Sequence, residues 1–291
     1  MSKKSFYLSY LKVLYSNLDL KNSLQNYIQE VASKLQKPLV LNIALIGSDL
    51  ASVKYTNLKQ TIGKKLGIEV IIHNYFSDTK TSEYRDLIDQ VLQDNSGLIF
   101  QLPVPKNVTE FVVNTPSNSD VDLLGNQAFR LWERGFLPPT IGAIDLVLKD
   151  ILHQNTDKNI ADLIDLKLDL KGKTVGVIGQ GVLVGKPLVK YLLDREATII
   201  SINKDTVNPK ELTKNCDILI CAAGVPGLVN QDWLHQNTII IDAATSESSG
   251  VLVGDVVKDS LFQTNLLVAS PSGVGSLTVL YLFYNLVKLA S

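Results

Sequence analysis

Histidine and cysteine are scarce in this chain. Three histidines (His73, His153 and His235) scattered over 291 residues make a zinc site an unlikely reading. The two cysteines, Cys216 and Cys221, flank an apolar, strand-like run with no His or Cys cluster nearby. They read as reduced core residues, so neither a disulfide nor a metal site is expected. Charge of one sign is lacking too: Lys+Arg 28 against Asp+Glu 29 leaves a net charge of −1. There is no basic run long enough to track a phosphate backbone, which argues against nucleic acid as a partner. Long hydrophobic runs are missing. The C-terminal stretch Leu277–Ala290 is too short to span a bilayer and carries Asn285 and Lys288, so no membrane partner is expected. Lys3-Lys4 opens an apolar stretch that Lys12 interrupts and that no small-residue cleavage site follows, which reads as no secretory signal and a cytoplasmic address.

What is present is 45% hydrophobic residues in a length that favours two domains. Helical periodicity runs over 5–36, with a break near Asn17-Leu18-Asp19. After Pro38, apolar runs at Leu39–Ile46, Val70–Tyr75 and Gly97–Gln101 alternate with amphipathic helices at 50–66 and 82–93. Strands this apolar, interleaved with helices, predict a parallel sheet covered on both faces. A second alternation begins after Leu166: Thr174–Ile178, a helix over 184–194, Ala197–Ile202, Ile218–Ala222, Thr238–Ile241 and Leu266–Ala269. The expected class is α/β with two α/β domains, the second a Rossmann-like dinucleotide-binding domain. The expected domains are 1–140 and 141–275. A helix over 144–153 follows the junction, the polar stretch 154–165 reads as an exposed excursion, and the final helix, 276–291, packs back on the first domain.

The helix after Ser48-Asp49 has a capping residue at its start and Gly67 at its stop. At 100° per residue, Ala51, Tyr55, Leu58, Ile62 and Leu66 form its expected buried stripe, with Thr56, Asn57, Gln60 and Lys64 opposite. Lys59 falls inside the stripe. An ammonium there snorkels to water, pairs with a carboxylate, or has a depressed pKa and a task.

Two further patterns point to ligands. Gly179-Gln180-Gly181-Val182-Leu183-Val184-Gly185 follows an apolar strand and opens a helix, as a pyrophosphate-binding turn does, with one residue more than the common fingerprint. A tight strand-to-helix connection without cofactor is the alternative. The next strand ends at Asn203-Lys204-Asp205, where Asp205 favours NAD and Lys204 favours NADP. Gln101, ahead of Leu102-Pro103, ends a buried strand where an open α/β sheet places its ligands, and Asp120-Val121-Asp122 supplies carboxylates. Structural duties, a loop contact for Gln101 and a cap for Asp122, are equally open on these residues alone.

Taken in order, Gly47–Ser52 with Tyr55 and Lys59, Gln101-Leu102-Pro103, Asp120-Val121-Asp122, Gly179–Pro187, Val253–Val256 and Gly273–Thr278 resemble the bifunctional methylenetetrahydrofolate dehydrogenase/methenyltetrahydrofolate cyclohydrolase family over about 39–280. The resemblance implies a folate cleft between the two domains. Tyr55 stacks on the pterin, Lys59 is the central catalytic group, Gln101 orients it and Asp122 hydrogen-bonds the pterin. Leu102, Pro103, Gly273 and Gly275 complete the substrate contacts. The resemblance further implies that Gly179, Gln180, Gly181, Lys204 and Thr245 hold NADP, with NAD as the alternative, and that the protein is a homodimer. The family's glycine after Asp122 is Leu123 here. Gln180-Gly181 stand where Arg and Ser are common, Ala243-Ala244-Thr245 replaces Val-Gly-Ile, and Ser276 replaces a proline. A single-activity cyclohydrolase, a non-catalytic folate-binding protein, and a nicotinamide oxidoreductase with another substrate are the competing readings.

Overall fold

The computed structural model describes residues 13–94, 96–153, 159–248, 251–270 and 272–291. In chain order the elements are β1 (Val13–Leu14), α1 (Leu18–Ser33), β2 (Val40–Ile46), α2 (Leu50–Leu66), β3 (Glu69–Tyr75), α3 (Thr81–Asp94) and β4 (Gly97–Phe100). Four helices follow: α4 (Thr109–Val113), α5 (Ala128–Glu133), α6 (Pro139–Leu152) and α7 (Ile160–Asp165). The remainder is β5 (Thr174–Ile178), α8 (Gly185–Leu193), β6 (Thr198–Ile202), α9 (Pro209–Thr213), β7 (Ile218–Cys221), β8 (Ile239–Asp242), β9 (Ser246–Ser248), β10 (Val251–Val253), β11 (Leu266–Val268) and α10 (Val274–Ala290).

The chain divides into two compact α/β units. One comprises Lys21–Gly142 with Thr278–Ser291, and the other Ala143–Leu277 with the described residues up to Leu20. In the first unit a parallel sheet runs β3-β2-β4, with Ile43 paired to Ile72 on one side and Ile99 on the other. Because β2 is central and the chain visits its two neighbours in turn, the strand order reverses between β2 and β4, which opens a crevice at their carboxyl ends. One face of the sheet is covered by an apolar cluster that includes Ala44, Leu98 and Phe100 with Tyr84, Leu87 and Val91 of α3. On the other face α2 lies very close to β3. A Cβ added at Gly63 would sit 2.4 Å from Val70 Cγ2, so only glycine permits this approach.

The second unit carries a parallel sheet in the order β1-β11-β8-β7-β5-β6 and a separate β9–β10 hairpin. Its strand order reverses between β5 and β7. Ile178, Leu219, Cys221, Ile240 and Leu267 from these strands share one core with Trp233 and Leu234. Cys216 and Cys221 are free and buried.

Three expectations are corrected. The segment 13–20 belongs to the second unit, because Val13 pairs with Leu266 in parallel, the Tyr15 amide donates to Leu267 O, and the Tyr15 hydroxyl donates to Asp150 at 2.5 Å. Val13–Leu14 is therefore strand and not helix; the expected helical start before it lies outside the described residues. The polar excursion holds a helix over Ile160–Asp165, opened by Asn159, whose side chain accepts from the Asp162 amide; residues 154–158 are outside the description. The third concerns the buried face of α2.

Candidate active site

α2 starts where the sequence places it. The Asp49 carboxylate accepts from the Ser52 amide at 2.8 Å, and Gly67 closes the helix at φ 71°. The inward face differs from the expected stripe. Ser52, Thr56, Lys59, Gly63 and Leu66 are buried, Tyr55 is half-buried, and Leu58 is 41% exposed. Small residues at 52, 56 and 63 let the helix approach the sheet, and proximity outweighs the preference of Leu58 for the interior. Thr56, expected outward, is fully buried.

This close approach puts Lys59 out of water, at 8% exposure. Its Nζ donates to Gln101 Oε1 at 2.6 Å, while Gln101 Nε2 donates to Leu102 O at 3.1 Å. The amide is held from both ends, so its oxygen faces the lysine. The Ser52 hydroxyl reaches both Asp49 and Leu102 O, linking the start of α2 to the loop after β4, where the Leu102–Pro103 peptide is cis. Pro103 is exposed and Leu102 half-buried. Lys59 on α2 and Gln101 just beyond β4 therefore meet at the reversal point of the first sheet.

Asp122 joins them. The Leu98 amide donates to Ser119 O at 2.8 Å, and an isolated bridge pairs Leu98 with Asp120, which lays residues 119–122 along β4. Burial lowers the Lys59 pKa and the Asp122 charge opposes this; burial raises the Asp122 pKa and the Lys59 charge opposes that. Burial pushes both groups toward neutrality, and each charge opposes that shift in the other. Asp120 is buried, and its carboxyl is pushed up to about 6 by burial although it accepts from the Gly125 amide at 2.8 Å. It organises the loop rather than facing a ligand. An amine poised between charge states in a water-poor pocket can take or give a proton.

The cofactor candidates lie in the second unit, at its own reversal point. Gly179 has φ 102°, and a Cβ there would be 2.3 Å from Ala222 O; a Cβ at Gly185 would be 2.0 Å from Gly179 O. At Gly181, by contrast, a Cβ would meet nothing within 4 Å. The outer glycines of the motif serve close packing, and the middle one borders open space. Gln180 is latched to the end of β6 by bonds to Ser201 Oγ (2.9 Å) and from Asn203 Nδ2 (3.3 Å). Lys204 is exposed just beyond, and Thr245 Oγ1 lies 3.4 Å from Ser270 Oγ. Gly273 and Gly275 stand at the entry to α10; a Cβ at Gly273 would press on Ala269 O at 2.7 Å, whereas at Gly275 it would meet nothing within 4 Å.

Two organising features were not foreseen. Asn17 Nδ2 donates to Gly273 O at 2.6 Å across 256 residues, a partnership no local pattern reveals. In the Val253–Val256 stretch the carboxylate of Asp255 accepts from the amides of Ala223 (2.8 Å), Gly224 (3.3 Å) and Val225 (2.7 Å), shaping the loop after β7. Asp242 in turn accepts from the Asp255 and Val256 amides. The tightness of Gly254, whose Cβ would fall 2.0 Å from Asp242 Oδ2, is the trace of this network in the sequence.

Comparison with known proteins settles the ancestry. The catalytic-domain model of the tetrahydrofolate dehydrogenase/cyclohydrolase family matches residues 16–122, and that family's NAD(P)-binding-domain model matches residues 154–291. The bifunctional protein FolD of Aquifex aeolicus is 30% identical over 279 residues, spanning 92% of this chain and 90% of that protein. The chain belongs to the tetrahydrofolate dehydrogenase/cyclohydrolase family. The crystal structure of the bifunctional FolD enzyme from Campylobacter jejuni superposes with a TM-score of 0.82 at 26% identity, covering 94% of this chain and 96% of that one. The bifunctional enzyme from Thermoplasma acidophilum does so with a TM-score of 0.78 at 25% identity, again covering 94% and 96%.

The family's NAD(P)-binding domain is thus the unit whose motif has Gly181 beside open space. α8 follows Val184, which makes no side-chain cap, and its Lys186 amide donates to Gly181 O at 3.0 Å. The residues present fit a dinucleotide. Among the described residues no group of three or more His, Cys, Asp or Glu could hold a metal ion, and no helix is long and apolar enough to cross a membrane.

Proposed function

We propose that this protein oxidises 5,10-methylenetetrahydrofolate to the 5,10-methenyl form with NADP in preference to NAD, and hydrolyses that product to 10-formyltetrahydrofolate, supplying one-carbon units. The observation that carries the reading is the buried Lys59 amine held on Gln101 Oε1, with Asp122 acting on its charge.

A nicotinamide held by the second unit would supply the acceptor for the hydride of the methylene carbon. The chain's part is to hold the folate and manage protons. Tyr55, half-buried one turn before Lys59, stacks on the pterin, and Asp122 accepts from it; Leu102 and Pro103 shape the floor, and Gly273 and Gly275 allow close approach of the backbone. In the hydrolytic step water adds to the methenyl carbon, Lys59 takes one of its protons and returns it to N5 as the C–N5 bond breaks, and the second water proton leaves to solvent as the carbonyl forms, so that the cationic substrate gives a neutral product and one released proton. The formyl group stays on N10. Negative charge that develops on the oxygen added to that carbon is met by a preorganised donor that needs no solvent rearrangement. Gly179, Gln180, Gly181 and Thr245 would hold the dinucleotide.

The preference for NADP rests on Lys204, exposed beside the latched Gln180 and Asn203, where a 2′-phosphate would lie. Loss of one charge-assisted contact is worth about 1.5 kcal/mol, so Lys204→Ala lowers kcat/KM for NADP about tenfold and leaves NAD unchanged. The reading includes a homodimer resident in the cytoplasm; sedimentation velocity checks the first and fractionation of the source cells the second.

The test is to mix the purified protein with methylenetetrahydrofolate and either nucleotide, following reduced nucleotide and methenyl product separately, alongside Lys59→Ala. Turnover in both steps, with hydrolysis lost in the variant, is the expected result. Hydrolysis of methenyltetrahydrofolate without oxidation would leave a cyclohydrolase, and folate binding without either step would leave a binding protein.

A further inference from the structure

Leu123 occupies the left-handed region at φ 57°, a conformation in which its Cβ crowds the following carbonyl and which bulky residues rarely adopt. It is nonetheless 5% exposed and packs with Leu131 and Phe136 in a small apolar cluster bordered by Ala128, Trp132 and Leu289. On the other side of Asp122, Val121 O accepts from Asn285 Nδ2 at 3.0 Å, and Asn285 is fully buried. Asn285 and Leu289 stand one turn apart on α10. Val121 is therefore anchored to α10, Leu123 to the small apolar cluster that Leu289 of α10 borders, and Asp120 ties down the far end of the loop through the Leu124 and Gly125 amides. Asp122 is left between these anchors, with its charge acting on Lys59.

We propose that Leu123 is a positioning residue: by burying its side chain it forces a costly backbone conformation on the loop, and that conformation aims the Asp122 carboxylate at Lys59. Strain at a site persists only where surrounding structure over-determines it, and the Leu131–Phe136 cluster supplies that determination. The prediction about turnover rests on the folate reading above; the prediction about Lys59 itself does not. The groups that act on Lys59 are Asp122 on this loop, whose charge holds the lysine pKa up against burial, and the uncharged Gln101 oxygen beyond β4.

The experiment follows the Cε resonance of Lys59 in 13C-lysine-labelled protein across pH, assigned by its loss in Lys59→Ala. Leu123→Gly adopts the left-handed conformation freely and lacks the anchor. In this variant the Lys59 titration is expected to move down by half a pH unit or more, and KM for methylenetetrahydrofolate to rise several-fold with a smaller change in kcat. An unmoved titration in folded Leu123→Gly overturns the proposal. An upward move overturns it as well, since it would make the loop a shield against water and not a mount for Asp122. Should Leu123→Gly not fold, Leu131→Ala trims the same cluster from α5, with the same direction expected and the same outcomes decisive. Wild-type protein without turnover would remove the folate reading while the titration still decided the role of Leu123.

Discussion

Lys59 and Gln101 are joined by a 2.6 Å hydrogen bond whose acceptor is fixed in orientation, because the amide nitrogen of Gln101 is committed to Leu102 O. A lysine can donate a hydrogen bond to an amide oxygen in either charge state, so this bond orients the amine without demanding that it be an ammonium. Replacing Gln101 by Glu changes that. The new carboxylate would stabilise the ammonium, raise its pKa and leave little free amine to accept a proton at neutral pH. Gln101→Glu is expected to lose about 100-fold in the hydrolytic step, within the usual weight of a general base, with the pH–rate profile displaced upward. Gln101→Leu is expected to lose a similar factor without an upward displacement. Stopped-flow decay of methenyltetrahydrofolate absorbance over pH 6–10 separates the two.

Lys59 also sets a stability cost. Its folded-state pKa lies below the ordinary lysine value of 10.5, so the unfolded chain binds more protons than the folded one between those two values, and stability rises with pH through that window. Below the folded pKa the penalty is present in full. Lys59→Met, which removes the buried charge and keeps the stem, is therefore expected to melt at a higher temperature than wild type near pH 7, with the gain fading as pH approaches 10.5. Thermal melts of the pair at several pH values check this, and a stabilisation independent of pH would assign the effect to packing.

Much of this site is legible in the sequence, and the part that is not has a physical cause. The capping aspartate, the stopping glycine and the apolar strand runs announce α2 and both sheets, since these depend on local backbone rules. The inward face of α2 does not follow from hydropathy: Ser52, Thr56 and Gly63 define it because small residues, not apolar ones, let a helix approach a strand to the distance seen at Val70. Lys59 lies on either version of the stripe, so the lysine was recognisable although its neighbours were not. Asn17 and β1 act through partners some 250 residues away, and Leu123 reveals its conformation only through the loop that contains it.

The glycines of the nucleotide turn differ in what they tolerate. Gly185→Ala drives a methyl group into Gly179 O at 2.0 Å, backbone against backbone, and is expected to distort the turn and lower the melting temperature as well as abolish nucleotide binding. Gly181→Ala places its methyl group in open space, so the fold is expected to be kept while the methyl occupies room meant for phosphate; a rise of tenfold or more in nucleotide Kd with an unchanged melting temperature is the expected pattern. Calorimetric titration with NADP, paired with thermal melts, tests both. Equal loss of stability in the two variants would make the motif a packing device alone.

Asp145 and Lys149 form a buried ion pair at 2.8 Å in the second unit, each 4% exposed, with the Tyr191 hydroxyl donating to Asp145 and Lys149 Nζ donating to Ile164 O at 2.9 Å. Removing one member of such a pair strands the other charge away from water, at a cost of about 3–5 kcal/mol; replacing both by apolar residues of similar size avoids that charge and is often neutral. Lys149→Met is therefore expected to destabilise by that amount in urea unfolding. The double variant Asp145→Leu/Lys149→Met should recover most of the loss, although the Tyr191 hydroxyl, now without its acceptor, withholds about 1–3 kcal/mol of it. Adding Tyr191→Phe should restore that remainder. A triple variant no more stable than Lys149→Met would show that the cluster specifies how α6 meets α8 in a way that apolar packing cannot replace.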